Sequence, residues 1–565
     1  MDVREIALKH ALKNAYTHGG KAQLKAVITA ILAENPDLRK NVKSIIPMVK
    51  EVIEEVNKMS LEEQERILNE KFPEALEQPK KEVKKGLPPL PGAEKGKVVT
   101  RFAPNPDFYM TLGNARPAIL SYEYAKMYDG KFILRFEDTD PRTKRPLPDA
   151  YQAILEDLEW LGIKPNEIYY QSLRMPIYYD LLKKLIEKGG AYVCTCPPEE
   201  WRKYRDAKKP CPHRNSSPEE NLELLDKIMN GEFGEGEAVV RVKTDLNHPD
   251  PSVRDWVAFR IIDPNKHPHP LVGDKYWLWP TYNFAAGVDD YLMGVTHILR
   301  AREHRQNEIK QSFLYKHFGW EMPKAIHFGR LKLEGFILSK SKMREMGVRG
   351  DDPRLATIRG LRNRGFAPEA IREVMLDVGV KSSDASISFV NLAAINRKVI
   401  DPKSPRIMFV ENPVEAVIEA DEELEAEIPW HPKVPEMGSR KYKVKPGDII
   451  YLDKNDVVRA VKKGGLRLME LANFEIKEFD IKEMRLKLKM VSKDVEDARK
   501  RKLDIVQWVP EGRKAILWRP NEGFSLGMVE PLAFEKRGWA QLIRVGFVNI
   551  QGVEDGTLKM IYLHD

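Results

Sequence analysis

The spacing of apolar residues changes character along the chain, and each change marks a different kind of structure. Over residues 1–78 apolar positions recur at helical intervals: Leu24, Val27, Ile28 and Ile31 share one face, and Val49, Ile53 and Val56 repeat the pattern. This predicts a helical amino-terminal domain. Residues 79–96 bring prolines, glycines and lysines with little to bury, the composition of an extended linker. From Lys97 the pattern alternates, with Val98 to Phe102 as a strand, Ala115 to Tyr128 as a helix, Lys131 to Phe136 as a strand and Asp149 to Leu161 as a helix. A βαβ order implies a parallel sheet, and such sheets bind ligands at the carboxyl ends of their strands. This pattern runs over 97–190, breaks for an insertion over 191–280 and resumes over 281–330. Residues 331–395 read as a basic loop followed, from 355, by helical spacing. Beyond Ile400 short strand-like segments recur: Asp448 to Leu452, Leu466 to Met469, Leu486 to Lys489, Ile505 to Val509 and Leu542 to Val545. Gly, Pro, Asn or Asp separate them, which predicts one or two β-barrels over 396–565. The fold class expected is therefore multidomain, α/β plus all-β.

Composition narrows the class. A chain of 565 residues is too long for one core. It is 42% hydrophobic and 32% charged, with no apolar run of bilayer-spanning length and no basic-then-apolar leader at Met1, so a soluble, cytoplasmic protein is expected. With 93 basic and 85 acidic residues, the net charge of +8 permits a polyanionic partner without requiring one.

All three cysteines fall between Cys194 and Cys211. Cys194-Thr-Cys196, fourteen residues and then Cys211-Pro-His213 offer three thiolates and one imidazole, the inventory of a closed, tetrahedral structural Zn2+ site. Four protein ligands leave no open position for chemistry. The alternative is a set of reduced thiols beside a histidine, while a disulfide is disfavoured in a cytoplasmic chain.

Four short motifs carry candidate chemistry: Thr100-Arg101-Phe102-Ala103-Pro104-Asn105-Pro106, Leu112-Gly113-Asn114-Ala115, Arg135-Phe136-Glu137-Asp138-Thr139-Asp140 and Leu338-Ser339-Lys340-Ser341-Lys342. Gly113 opens the predicted helix, where close backbone approach and the helix amino terminus favour a phosphate, although a tight turn asks for the same residue. Arg101 is a bidentate donor suited to a carboxylate, yet an isolated arginine more often makes a surface salt bridge. Lys340 lies in the basic stretch from Lys332 to Arg349, which by itself reads as a solvated loop.

In order and spacing these motifs resemble the class I aminoacyl-tRNA synthetases of the glutamyl and glutaminyl subgroup. Pro-Asn-Pro followed by Thr111-Leu-Gly-Asn114 resembles the His-Ile-Gly-His signature, and Leu338 to Ser341 resembles the Lys-Met-Ser-Lys-Ser loop, with Lys340 as its second lysine. Glu137-Asp138-Thr139-Asp140 stands where glutaminyl enzymes usually read Asp-Asp-Thr-Asn. The Ile400 to Arg406 stretch resembles the β-barrel anticodon-binding region of archaeal and eukaryotic enzymes. The whole, over residues 97–565, is similar to archaeal-type glutamyl-tRNA synthetases.

The resemblance implies a Rossmann-like catalytic domain, a zinc-bearing acceptor-binding insertion, a helical stem-contact region and an anticodon-binding β-barrel region. It implies ATP with Mg2+, L-glutamate and tRNA(Glu) as partners and no membrane. The reaction implied is formation of glutamyl adenylate followed by transfer to the terminal ribose, with activation dependent on bound tRNA. Charging of tRNA(Gln) with glutamate is left open. The ATP positions implied are Pro106, Thr111, Gly113, Asn114, Ser339, Lys340 and Ser341, with Lys340, Asn114 and Thr111 in the catalytic set. The glutamate positions are Arg101, Ala103, Glu137, Tyr282 and Arg300. Two departures stand out: Thr111 replaces the first signature histidine, and Ala286 replaces an asparagine common four places after the tyrosine. Thr111 motivates one rival, a noncatalytic RNA-binding relative, and a glutaminyl enzyme is the other.

Overall fold

The computed structural model describes residues 3–17, 19–35, 38, 42–72, 86–335, 345, 347–480 and 482–565. The chain divides into two units, Met1–Gly86 and Leu87–Asp565. In the first, helices Val3–Thr17, Leu24–Glu34, Val42–Asn57 and Leu61–Lys71 bury Val27, Ile31, Val49, Ile53 and Val56, the face that the helical spacing picks out. Ser60 caps the last helix by accepting from the Glu63 amide. Gln64, fully buried, donates to the Val56 carbonyl at 2.9 Å and the Gly20 carbonyl at 3.0 Å, so its amide satisfies two turn carbonyls.

In the second unit β1 (Val99–Phe102), β2 (Lys131–Phe136) and β3 (Glu167–Tyr170) form a parallel sheet in that order. An antiparallel sheet of β4 (Ala191–Cys194), β5 (Val239–Val242), β6 (Val257–Ile261) and β7 (Leu278–Pro280) interrupts them, after which β8 (His297–Ala301) and β9 (Lys324–Phe328) pair in parallel. Thr296 joins the halves: its amide donates to the Val99 carbonyl and its hydroxyl accepts from the Val99 amide, both at 2.9 Å. The spatial order is thus β3-β2-β1-β8-β9, with a topological switch between β1 and β8, where such sheets open a crevice. Phe102, Leu134 and Phe136 pack against Leu112, Ala115, Ile119, Ile154 and Leu158 from the two covering helices.

The helix expected from Ala115 begins at Leu112, because Thr111 caps it. Arg116, buried in that helix, donates to the Gly379 carbonyl at 3.0 and 2.7 Å and to Gly329 at 2.8 Å, fastening the helix to the end of β9 and to the end of helix Pro368–Val378. Leu87 to Lys97, which reads as linker, is docked instead: Leu90 is buried against Leu120 and Tyr124, and the Tyr124 hydroxyl donates to Pro88. Composition registers the prolines but not the apolar helix face that receives the leucines.

Over 355–400 helices Ile358–Arg364, Pro368–Val378 and Phe389–Ile400 match the helical spacing, and a short strand, Ala385–Ser388, pairs in parallel with Leu331–Glu334. Beyond Ile400 two seven-stranded, barrel-like sheets are built from interleaved segments, so the chain leaves the first to make the second and returns. Glu530 ties the first of them to the hairpin of strands Leu424–Pro429 and Ser439–Val444: fully buried, it accepts from the Met408 amide, Arg440 and the Tyr442 hydroxyl. Leu542 to Val545, expected as a strand, keeps only Leu542 in one; Ile543 to Val545 form a turn in which Arg544 adopts φ 64°, between strands Gly538–Leu542 and Gly546–Glu554. Ile505 to Val509 likewise contributes only two-residue strands at its ends, with Gln507 turned to bond Phe409 across the two sheets. Among the described residues no helix is long and apolar enough to cross a membrane.

Candidate active site

A cavity of about 750 Å³ lies at the carboxyl ends of β1, β2 and β8, at the switch point. Each strand ends by delivering a side chain or backbone turn to it. Arg101 comes from β1, Ala103 from the turn after it, Glu137 from the residue after β2 and Arg300 from β8. Tyr282 enters from the first turn of helix Tyr282–Leu292, and Gly113 and Asn114 from the start of helix Leu112–Met127.

Beneath the cavity is a buried charge set. Asp290 receives Arg101 Nε at 3.1 Å and Nη2 at 3.3 Å, and Arg135 Nη1 at 2.8 Å, while Arg135 Nη2 donates to Glu137 at 3.0 Å. All are nearly shut off from solvent, so each charge interacts strongly with its neighbours. Burial by itself would push the Asp290 carboxyl up, but Arg101 and Arg135 more than reverse this and bring it down to about 2. For Glu137 burial wins and raises it above the ordinary range, against the pull of Arg135 and Arg101. Of the charged residues lining the cavity, Arg101, Lys144, Arg260 and Arg300 stand against Glu137, Asp140 and Glu303, which gives 4 − 3, or one net positive charge, and the Arg135–Asp290 pair beneath adds none. A small ligand with one excess negative charge balances it.

Several participants lie outside the site residues expected from the sequence. Arg135, which opens the third motif, and Asp290 are the load on Arg101, and the sequence marks their part only as charge within otherwise apolar runs. His304, Asn307 and Asn283 form a polar ladder on one wall, with the His304 ring 3.1 Å from Asn307 and Asn307 accepting from Asn283 at 3.2 Å. Burial, then the charge of Arg300, hold the His304 imidazole below its usual range, so it is neutral at pH 7. Ala286 is fully buried, and Gln311 packs against the neighbouring Gly287 and accepts from Arg300 at 3.5 Å.

Pro106 and Thr111 flank the cavity without lining it, and the Pro106 carbonyl accepts from the Leu147 amide. Ser339, Lys340 and Ser341 lie outside the described residues. Cys194, Cys196, Cys211 and His213 form a separate cluster, their ligand atoms all within 4.8 Å of one another. His213 Nδ1 lies 3.3 Å from Cys196 Sγ, and its Nε2 is 3.0 Å from the Thr195 hydroxyl, a bond that fixes the orientation of the ring. The helix between Cys196 and Cys211, Pro198–Asp206, has no fully buried residue and rests on the cysteine cluster through the partly buried Trp201 and Tyr204 alone.

A family model for tRNA synthetases class I (E and Q), catalytic domain, matches residues 97–402, and one for the anti-codon binding domain of the same class matches 404–490. A glutamate–tRNA ligase from Ignicoccus hospitalis is 70% identical over the full length of both chains. Glutamate–tRNA ligases from Pyrobaculum calidifontis and Pyrococcus furiosus are each 54% identical, again over the whole of both chains. With the switch-point cavity on its parallel sheet and barrel-like sheets following, the chain belongs to the class I tRNA synthetases of the glutamate and glutamine group, among the glutamate–tRNA ligases.

Proposed function

We propose that this protein ligates L-glutamate to tRNA(Glu). The observation that carries the reading is the cavity floor, where Arg101 and Arg300 meet Glu137 with one positive charge in excess. Glutamate brings two carboxylates and one ammonium, a net charge of −1. The arginines suit the side-chain carboxylate and Glu137 the ammonium, with Tyr282 as a wall, while glutamine would leave the excess charge unbalanced. In the first step an oxygen of the glutamate α-carboxylate attacks the α-phosphorus of ATP and pyrophosphate leaves. In the second a terminal ribose hydroxyl of the tRNA attacks the adenylate carbonyl and AMP leaves. Neither step needs a protein nucleophile; the chain positions the partners and neutralises charge. Gly113 and Asn114 fit the nucleotide end of the cavity, and the Ser339-Lys340-Ser341 motif supplies the cation expected over the phosphates. Mg2+ accompanies ATP and adds charge neutralisation at the triphosphate.

Three cysteines and one histidine within tetrahedral reach suit Zn2+, which would pin the insertion and take no part in the chemistry. A second cavity, about 620 Å³, presents Trp430 and Trp539 with Lys403 and Lys536 at the junction of the first barrel-like sheet and the helices before it. Lys536 lies over the Trp430 ring at 4.1 Å and Lys403 over Trp539 at 5.6 Å, which holds two cations at the mouth of the cavity and suits the phosphate backbone of the tRNA. The test is charging of purified tRNA(Glu) and tRNA(Gln) with labelled glutamate, beside glutamine and ATP-free controls. ATP-dependent attachment of glutamate supports the reading, and attachment to both tRNAs makes the enzyme non-discriminating. Binding of tRNA without charging would refute it.

A further inference from the structure

The chain departs from its family signature at Thr111, and the local geometry gives that residue a definite task. Thr111 is the amino-terminal cap of helix Leu112–Met127, in extended conformation, φ −96° and ψ 163°. Its hydroxyl accepts from the Asn114 amide at 3.3 Å and donates to Asn114 Oδ1 at 2.8 Å, while its own amide donates to the same oxygen at 3.2 Å. Both donors point at one atom, so the Asn114 side-chain amide has only one orientation that satisfies them. The backbone on either side is clamped, the Leu112 amide donating to Ala356 and the Ile358 amide to Met110, both at 2.8 Å. Asn114 lines the cavity and Thr111 does not.

We infer that Thr111 is a positioning residue: it acts through Asn114, holding Oδ1 back against the cap so that Nδ2 is presented to the nucleotide phosphates or ribose. The capping box also decides which helix amides remain for an anion. The Leu112 and Asn114 amides are spent within the protein, which leaves Gly113 N and Asn114 Nδ2, neither with a partner among the described residues. A threonine here preserves a nucleotide-facing donor without contacting the ligand, so loss of the signature histidine is compatible with catalysis. This rests on the placement of ATP at this end of the cavity.

The test is a double-mutant cycle in the full-length enzyme, reading kcat/KM for ATP in tRNA-dependent glutamate charging. Thr111→Val keeps the shape and removes the hydroxyl, Asn114→Ala removes the presented donor, and Thr111→Ser keeps the cap. The expected result is a loss of about tenfold for T111V and for N114A, no further loss in T111V/N114A, and T111S within about twofold of wild type, with KM for glutamate unchanged in all. Multiplying losses in the double variant would mean that Thr111 makes its own contact and would overturn the inference, as would T111S behaving like T111V. If N114A leaves kcat/KM for ATP unchanged, the nucleotide does not lie there, and both the placement and the inference fall. Unaltered tRNA affinity checks that each variant is folded.

Discussion

Replacing Asp290 with asparagine removes the anion on which the amino-acid cavity rests. Its carboxylate takes three charge-assisted bonds, two from Arg101 and one from Arg135, and is 1% exposed. Bringing its pKa from 3.8 to about 2 corresponds to roughly 2.5 kcal/mol of stabilisation, at about 1.36 kcal/mol per unit. Because the folded-state value is depressed, this stability is fully present above the unfolded-state pKa, about 3.9, and is lost as the pH falls toward 2. The amide costs more than protonation, since two buried guanidinium groups then face an amide NH2; a loss of about 3–5 kcal/mol is expected at pH 7. Hydrogen exchange resolved to β1 and β2 measures it locally, which avoids assuming that so large a chain unfolds in one step. The gap between wild type and D290N should narrow below pH 4, where the unfolded wild-type chain takes up a proton at Asp290 that the folded one refuses until about pH 2. KM for glutamate should rise at least tenfold because Arg101 is no longer held, and Asp290→Glu should recover part of it. A gap under about 1 kcal/mol at pH 7, or one of the same size at pH 2.5, would refute the account of the charge set.

Arg116→Ala leaves the Gly329 and Gly379 carbonyls unpaired in a buried seam, so a loss of about 3–4 kcal/mol is expected, measured as loss of exchange protection in helices Leu112–Met127 and Pro368–Val378. Asp157 points the other way: burial pushes its carboxyl up to about 7, against Arg359 and Arg362, so wild-type stability declines as the pH rises from about 4 through 7. Asp157→Asn should therefore raise the melting temperature at pH 8 and give no gain at pH 4. Chelation, or Cys211→Ser, should release about one zinc per chain and deprotect the backbone around Cys194 to His213 in hydrogen exchange, with β1 and β2 unaffected. Lys536→Ala should raise KM for tRNA by about tenfold with the values for ATP and glutamate unchanged, read by charging at varied tRNA concentration.

The helical faces of the first unit and the strand order from Lys97 are legible in the sequence because a single packing rule, one face buried, leaves a periodic trace. Leu542 to Val545 escapes that rule: its alternation looks like a strand, but the chain reverses there through a left-handed Arg544, and a positive φ at a non-glycine residue leaves no mark in composition. The residues of the cavity are partly legible. Arg101 lies in a predicted strand and Ala103 and Glu137 just beyond one, where switch-point logic expects a site, whereas Tyr282 and Arg300 lie far along the chain and are found only through the resemblance.

The buried charge set shows why local reading stops short. Asp289 and Asp290 are neighbours in sequence, but on a helix successive residues point about 100° apart. Asp289 turns to Arg174, Gln171 and Tyr178, and Asp290 to Arg101 and Arg135. Nothing in the dipeptide says which acid supports the site; only the docking of the helix against β1 and β2 decides it. The same docking decides how the Arg101 guanidinium is held. Its Nε and Nη2 are spent on Asp290, while Nη1 has no partner among the described residues and the side chain lines the cavity. The ion pair fixes the guanidinium and leaves one amino group facing the cavity, and a fixed donor of that kind is what recognition of a carboxylate needs; in the proposed function Arg101 would serve the substrate because it is already paired.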